Sequence, residues 1–346
     1  MSAAGTGVSG AGVDAAGTGS ATTGSAQRTQ PCHAGTSPAG TGVAGPEAAR
    51  EVIAWYRAHA RDLPWRRPGT GAYAVLVCEV MSQQTPVERV LPAWREWLRR
   101  WPEPAGLAAA DTGEVLRVWG SLGYPRRALR LMETARTVVE QHGGVLPEDA
   151  EALLALPGVG PYTAGAVLAF AYGRRALTLD TNVRRVLARA HAGEALAPPG
   201  LTRAETARAE SLQPGSDAEG AAWSAAVMEL GALVCSARAP RCEQCPWQQR
   251  CAWLAAGRPA DAHASRRRTQ AWHGTDRQAR GLVMAELRRA PAGTTIEREA
   301  LLAAAARAGA RAGGEADLGQ PARAVAGLLA DGLIATDDGG ETYRLP

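Results

Sequence analysis

The sequence predicts an all-α protein that ends in a small winged-helix-like module. Three observations carry this. From residue 47 to residue 234, apolar residues recur at helical spacing, broken by short Gly/Pro joints with no alternating strand pattern between them. Four cysteines then crowd between Cys235 and Cys251. Beyond residue 280, three helical patterns precede two short runs suited to a hairpin. A length of 346 residues fits two or three domains.

Residues 1–46 hold Gly, Ala, Ser and Thr with a few Val, and no Leu, Ile, Phe, Trp or Tyr. Such a segment cannot bury enough surface to offset its ordering entropy, so a disordered tail is expected, with Cys32 and His33 incidental. Residues 47–61 and 72–83 read as helices. Thr85-Pro86-Val87-Glu88 has the form of a capping box, opening a helix whose Val90, Leu91, Trp94, Trp97, Leu98 and Trp101 share one side. Further helices are expected at 112–119, 125–141, 150–155, 162–173, 181–192, 201–213 and 217–234. These make one domain over 47–256, followed by a polar linker over 257–279 that contains Arg266-Arg267-Arg268. The last domain, 280–346, has helical runs at 278–289, 297–310 and 320–331, then a hairpin from 333–336 and 341–345.

Composition narrows function less than motif does. A net charge of +4 is compatible with nucleic acid and does not establish it. All 38 basic residues are arginine, so no side chain can form a Schiff base. Cysteine clustering argues against a dispersed disulfide framework. No apolar run spans a membrane and no leader pattern opens the chain, so a cytoplasmic location is expected.

Cys235-x6-Cys242-x2-Cys245-x5-Cys251 has the density of a metal or cluster site. Zinc favours paired Cys-x2-Cys knuckles or added His, and here one close pair stands with no His. Four thiolates at uneven spacing suit a [4Fe-4S] cluster better, with zinc as the alternative. Leu156-Pro157-Gly158-Val159-Gly160-Pro161-Tyr162-Thr163-Ala164-Gly165 reads as helix, tight turn, helix. Backbone N–H groups at Gly158 and Gly160 could hold a DNA phosphate, and the hairpin backbone could hold a monovalent cation. Asp180, in Leu179-Asp180-Thr181-Asn182, has the position of a helix N-cap. Glu79 is a carboxylate inside the apolar run Ala72–Met81, either on a wet helix face or buried with a raised pKa.

Together these motifs resemble the MutY-type adenine DNA glycosylases of the helix-hairpin-helix, iron–sulfur superfamily. The resemblance covers about residues 47–256. It is also carried by Leu63-Pro64-Trp65-Arg66, Glu79-Val80-Met81-Ser82-Gln83-Gln84-Thr85, Trp119-Gly120-Ser121-Leu122-Gly123-Tyr124 and Met228-Glu229-Leu230-Gly231-Ala232. It implies two helical lobes with the active site in the cleft between them. The implied substrate is adenine mispaired with 8-oxoguanine or guanine in double-stranded DNA, and the implied protein is a monomer associated with the nucleoid. In that reading Glu79 protonates adenine N7, Asp180 faces the sugar's positive charge, and Tyr162 and Asn182 stand near the reacting sugar. Gln83, Gln84 and Tyr124 would touch DNA as the base leaves the stack, Thr85 and Leu122 would touch the oxidised guanine, and Arg66 would hold phosphate or the flipped nucleotide. Arg238 and Arg241 would reach phosphate from the cysteine loop.

Two rivals share the fold. Endonuclease III uses a lysine nucleophile where this chain has Tyr162, which implies no lysine-dependent lyase here. A thymine/uracil mismatch glycosylase, or a non-catalytic cluster-bearing DNA-binding protein, are the further alternatives. Ser82, Pro125 and Thr181 depart from common family residues, and residues from 280 onward lack the pattern of a NUDIX-like domain. Weaker discrimination of 8-oxoguanine from guanine is therefore expected than in members with that domain.

Overall fold

A computed structural model describes residues 42–267, 271–310 and 317–346. The expected disorder falls mainly on residues 1–41, outside the described set, and Arg268 of the arginine run also lies outside it. Order begins before residue 46. Val43 is buried, its N–H donates to the Ala190 carbonyl, and its carbonyl pairs with His191 Nδ1. A single valine among glycines gives no such signal in composition.

The helices follow in the order α1 (Gly45–His59), α2 (Ala72–Ser82), α3 (Val87–Arg100), α4 (Pro104–Ala108), α5 (Thr112–Trp119), α6 (Arg126–His142), α7 (Ala150–Ala155) and α8 (Pro161–Phe170). Then come α9 (Thr181–Ala190), α10 (Arg203–Leu212), α11 (Asp217–Leu233) and α12 (Ala252–Ala255). Short 3-10 turns at Pro64–Arg66 and Gly120–Leu122 carry two of the sequence motifs. α4 was not foreseen, since five residues are too few to show periodicity. The capping box does not form. Pro86 is the N-cap of α3, and the Thr85 hydroxyl turns instead to the Gln83 and Leu122 carbonyls, 3.3 and 3.2 Å away.

Two cores result. One joins α2, α3 and α5–α8 around a tryptophan stack, with Trp97 edge-on to Trp101 and Trp119 at 4.9 and 5.7 Å. The other joins Val43, α1, α9–α11 and Trp247. The Trp247 Nε1–H donates to the Ala48 carbonyl at 2.9 Å, fastening the cysteine loop to α1. These are the expected two lobes, one with the hairpin and one with both ends of the domain. α2 is apolar on every side, so it is buried on every side, and Glu79 goes in with it.

The C-terminal module comprises α13 (Asp276–Arg289), β1 (Ile296–Glu297), α14 (Arg298–Ala310), α15 (Gln320–Ala330) and β2 (Thr342–Tyr343). β1 pairs antiparallel with β2, Ile296 opposite Tyr343, and Ala335 bridges Arg344. The expected hairpin is thus a single bridge, and Ile296–Glu297, of which Glu297 was expected to begin a helix, supplies the main strand partner. Val283, Met284, Leu287 and Leu328 of the module share the core that contains Trp119 and Leu122. Arg126 pairs with Asp331 at 3.3 Å across the same contact. Among the described residues, no helix is long and apolar enough to cross a membrane.

Candidate active site

A cleft of about 890 Å³ is walled by both lobes. It gathers Glu79 from α2, Tyr162 from the first turn of α8, Asp180 and Asn182 from the start of α9, and Arg66 from the 3-10 turn. Gln83, Gln84 and Thr85, just past α2, form its rim.

Glu79 is 7% exposed, so the wet-face alternative fails. Burial, with the nearby Asp180 charge adding to it, raises its carboxyl from 4.5 to about 7, against the pull of a hydrogen bond from Tyr162. That bond runs from the Tyr162 O–H to Glu79 Oε2 at 2.7 Å. Burial also raises Asp180, but two donors resist. As the N-cap of α9, Asp180 accepts the Val183 N–H at 2.7 Å, and Asn182 Nδ2 donates at 2.8 Å. Helix-terminal N–H groups favour a charged cap. Burial thus lets Glu79 hold its proton up to about pH 7, while the donors around Asp180 work against burial and favour its charged form.

Asn182 is itself held. Its Oδ1 accepts from Arg185 Nη2 at 2.7 Å, and the same nitrogen donates to the Gly231 carbonyl at 2.8 Å. A Cβ at Gly231 would lie 2.7 Å from Asn182 Cβ, so only glycine lets α11 come this close to α9.

Sequence reasoning missed Glu229. It is fully buried and grips two arginines of the cleft wall, Arg61 Nη2 at 2.7 Å and Arg66 Nη2 at 2.8 Å. Burial alone would raise its carboxyl, yet the hydrogen bonds from both arginines hold it at about 2. Arg66 Nη1 is buried without a partner, a donor left for whatever occupies the cleft. Glu229 carried the same signal as Glu79, a carboxylate inside an apolar helix.

Sequence reasoning also missed Arg127, which carried no comparable signal. One guanidinium donates to the Val80, Met81 and Gln83 carbonyls at 2.8, 3.1 and 2.7 Å, tying off α2. It also donates to Thr85 Oγ1 at 3.2 Å and to the Leu122 and Gly123 carbonyls at 3.2 and 3.0 Å. Gln84 and Tyr124, two of the residues expected to touch DNA as the base leaves the stack, have left-handed backbones at φ 55° and φ 47°, and both are exposed. Such conformations are uncommon outside glycine and persist where surroundings impose them.

Not every expected residue reaches the cleft. Leu122, Tyr124, Gly158 and Gly160 lie outside its lining, and the Leu122 side chain is buried, leaving its carbonyl as the engaged group. Gly158 does make the hairpin turn, with φ 76°. The turn closes through the Val159 N–H to the Leu156 carbonyl, and neither the Gly158 nor the Gly160 N–H has a partner among the described hydrogen bonds. Arg241 turns back to the Leu233 carbonyl, whereas Arg238 is exposed.

Cys235, Cys242, Cys245 and Cys251 line one apolar cavity with Trp247 and Trp253, and none of the four is in a disulfide. Arg189 Nη1 lies 3.5 Å from Cys235 Sγ, with its guanidinium over the Trp253 ring at 4.5 Å.

Comparison with known proteins agrees with this geometry. Residues 77–210 match the HhH-GPD superfamily of base excision DNA repair proteins. An adenine DNA glycosylase from Mycobacterium tuberculosis is 46% identical over 306 residues, which is 88% of this chain and 96% of that protein. The human adenine DNA glycosylase is 42% identical over 213 residues, 58% of this chain and 38% of that protein. Among solved structures, a thermostable thymine-DNA glycosylase superposes with a TM-score of 0.53 at 26% identity, covering 60% of this chain and 95% of that one.

Proposed function

Given that the chain belongs to the HhH-GPD base excision repair superfamily, and within it to the adenine DNA glycosylases, we propose that its substrate is adenine mispaired with 8-oxoguanine or guanine in double-stranded DNA. The observation that carries this is a pair of buried acids in one cleft, Glu79 raised to about 7 under the Tyr162 hydroxyl and Asp180 held as the N-cap of α9. Flipping the base into the cleft costs a few kcal/mol of lost stacking and pairing. Gln84 and Tyr124 fill the space it leaves. Arg66, steadied by Glu229, offers Nη1 to the base or its phosphate.

Glu79 transfers its proton to adenine N7. The N9–C1′ bond breaks, its electron pair leaves with the base, and positive charge collects on the sugar. The Asp180 carboxylate faces that charge. Water then adds at C1′, loses a proton, and an abasic site remains. With Tyr162 in place of a nucleophilic lysine, no covalent enzyme–sugar imine forms and no strand is cut by that route. The protein acts as a cytoplasmic, nucleoid-associated monomer.

The test is a single-turnover assay on duplexes with adenine opposite 8-oxoguanine or guanine, resolved with and without alkali. Strand breaks only after alkali are expected. Breaks without alkali would overturn the lyase-free reading, and excision only of thymine or uracil from G mispairs would overturn the adenine reading.

The four cysteines fit a [4Fe-4S] cluster. Burial raises Cys245 to about 12 and also raises Cys251, with neighbouring cysteines adding to both, so these two thiols become thiolates only beside strong positive charge. All four line one apolar cavity with Trp247 and Trp253, and their uneven spacing with no His among them suits a cluster better than zinc. A bound cluster would supply a structural clasp closing the loop onto α9 and α11. Purified protein is expected to be brown, with about four iron atoms per chain. A colourless protein with one zinc would overturn the cluster.

A further inference from the structure

We propose that the C-terminal module works as part of the lesion-reading apparatus, with Arg277 positioning the Tyr124 loop and so setting discrimination between 8-oxoguanine and guanine opposite adenine. This rests on the adenine reading above.

The loop from Trp119 to Tyr124 has firm inner anchors. The Trp119 Nε1–H donates to the Gly123 carbonyl at 2.9 Å, Arg127 and Thr85 donate to the Leu122 carbonyl, and Arg89 donates to the Ser121 carbonyl. Its outer end is different. Tyr124 is 42% exposed and has a left-handed backbone. Its hydroxyl meets the module: Arg277 Nη1 donates to Tyr124 Oη at 2.6 Å. Two guanidinium groups lie near its ring, Arg127 at 5.7 Å and Arg277 at 5.8 Å from the centroid. Arg277 also lies over Trp272 at 5.0 Å, completing a row of aromatic, cation and aromatic at the surface.

Arg277 stands on a rigid base. It lies in the first turn of α13, where the Thr275 hydroxyl accepts the Gln278 N–H and the Gln278 side chain accepts the Gly274 N–H at 2.8 Å. α13 packs its buried face into the core that holds Leu122. Asp331, held by Arg126 and Arg280, pins the module to the start of α6, two residues beyond Tyr124. A continuous series of contacts therefore runs from the module to Tyr124, and through Arg127 to Thr85 and Leu122. A charged donor on a phenol oxygen at a strained position is a positioning contact. Arg277 need not touch DNA to bias which conformer of the loop enters the duplex.

The full-length protein and its Arg277→Ala, Arg277→Lys and Tyr124→Phe variants should be compared by single-turnover excision from 8-oxoguanine:adenine and guanine:adenine duplexes. For Arg277→Ala the ratio of the two rates is expected to fall about tenfold, the size of one charged hydrogen bond. Its melting temperature should stay near wild type, Arg277→Lys should recover part of the ratio, and Tyr124→Phe with Arg277→Ala should be no worse than either alone. An unchanged ratio in Arg277→Ala, or equal losses on both duplexes with a lowered melting temperature, overturns the proposal. A second readout separates the readings. 2-Aminopurine beside an abasic analogue reports loop insertion whichever base is excised, and its signal should drop in Arg277→Ala. Wild-type protein that excises adenine from neither duplex overturns the adenine reading, and the 2-aminopurine signal then decides the Arg277–Tyr124 contact alone.

Discussion

Glu79→Gln lowers single-turnover excision of adenine by about a thousandfold, the scale of losing a positioned general acid. Glutamine still accepts the Tyr162 hydroxyl but has no proton to give. In the wild-type protein the rate falls as pH rises through about 7, because burial holds the proton up to that point and no further. The same shift acts on stability with a definite sign. The folded carboxyl titrates at about 7 and the free one at 4.5, so between these values the folded state holds a proton that the unfolded state has lost. Stability drops as pH rises through that window, and above it the ionised acid burdens the fold by about 3 kcal/mol. Glu79→Gln should thus be inactive and, at pH 8, more stable than wild type, the gap closing as pH falls toward 4.5. Excision rates across pH, beside denaturant midpoints at both ends, check it. Retained excision by the glutamine variant, or a flat profile, would remove Glu79 as the acid.

Glu79 was legible in the sequence because the helix around it left no wet face. The two lobes were less so. Helical periodicity gave α1, α9 and α11 but not their joining into one core, and the resemblance supplied that. Pairings between distant segments account for most of what stayed hidden. Thr85 had every local reason to cap α3, yet its hydroxyl is drawn to the Leu122 carbonyl across 37 positions of chain. Arg127 is one arginine among many in sequence, and only folding brings the end of α2 within its reach. Val43 is the same case at the tail, a lone valine that finds a pocket beside Ala190. The C-terminal helices were legible by period, but their seat on the Tyr124 loop depends on Arg277 and Asp331, which look like ordinary surface charges.

Glu229 shows how one sequence signal can report opposite physics. Like Glu79 it is a carboxylate in an apolar helix, and it is the more deeply buried. The difference that decides is the direct hydrogen bonds from two guanidinium groups, which hold Glu229 at about 2, while Glu79, bonded to a neutral phenol and near the Asp180 charge, rises to about 7. Removing it by Glu229→Ala leaves Arg61 and Arg66 partly buried and unpaired, and Arg66 already has one nitrogen without a partner. Breaking such a pair from one side costs roughly 3–5 kcal/mol, here at the lower end because both arginines retain some solvent. Glu229→Gln keeps the shape and an acceptor and should lose less, about 1–2 kcal/mol. Its pH dependence runs opposite to that at position 79. The folded acid titrates below the free one, so its stabilisation is complete above 4.5 and fades as pH falls toward about 2. Wild type should exceed Glu229→Gln at pH 7 and approach it near pH 3, whereas Glu79→Gln should exceed wild type at pH 8 and approach it in acid. Urea midpoints of the two glutamine variants on either side of neutrality test both signs together. If both shift in the same direction with pH, burial does not hold the proton on Glu79 while the arginines hold the charge on Glu229, and Glu79 loses its standing as the proton donor.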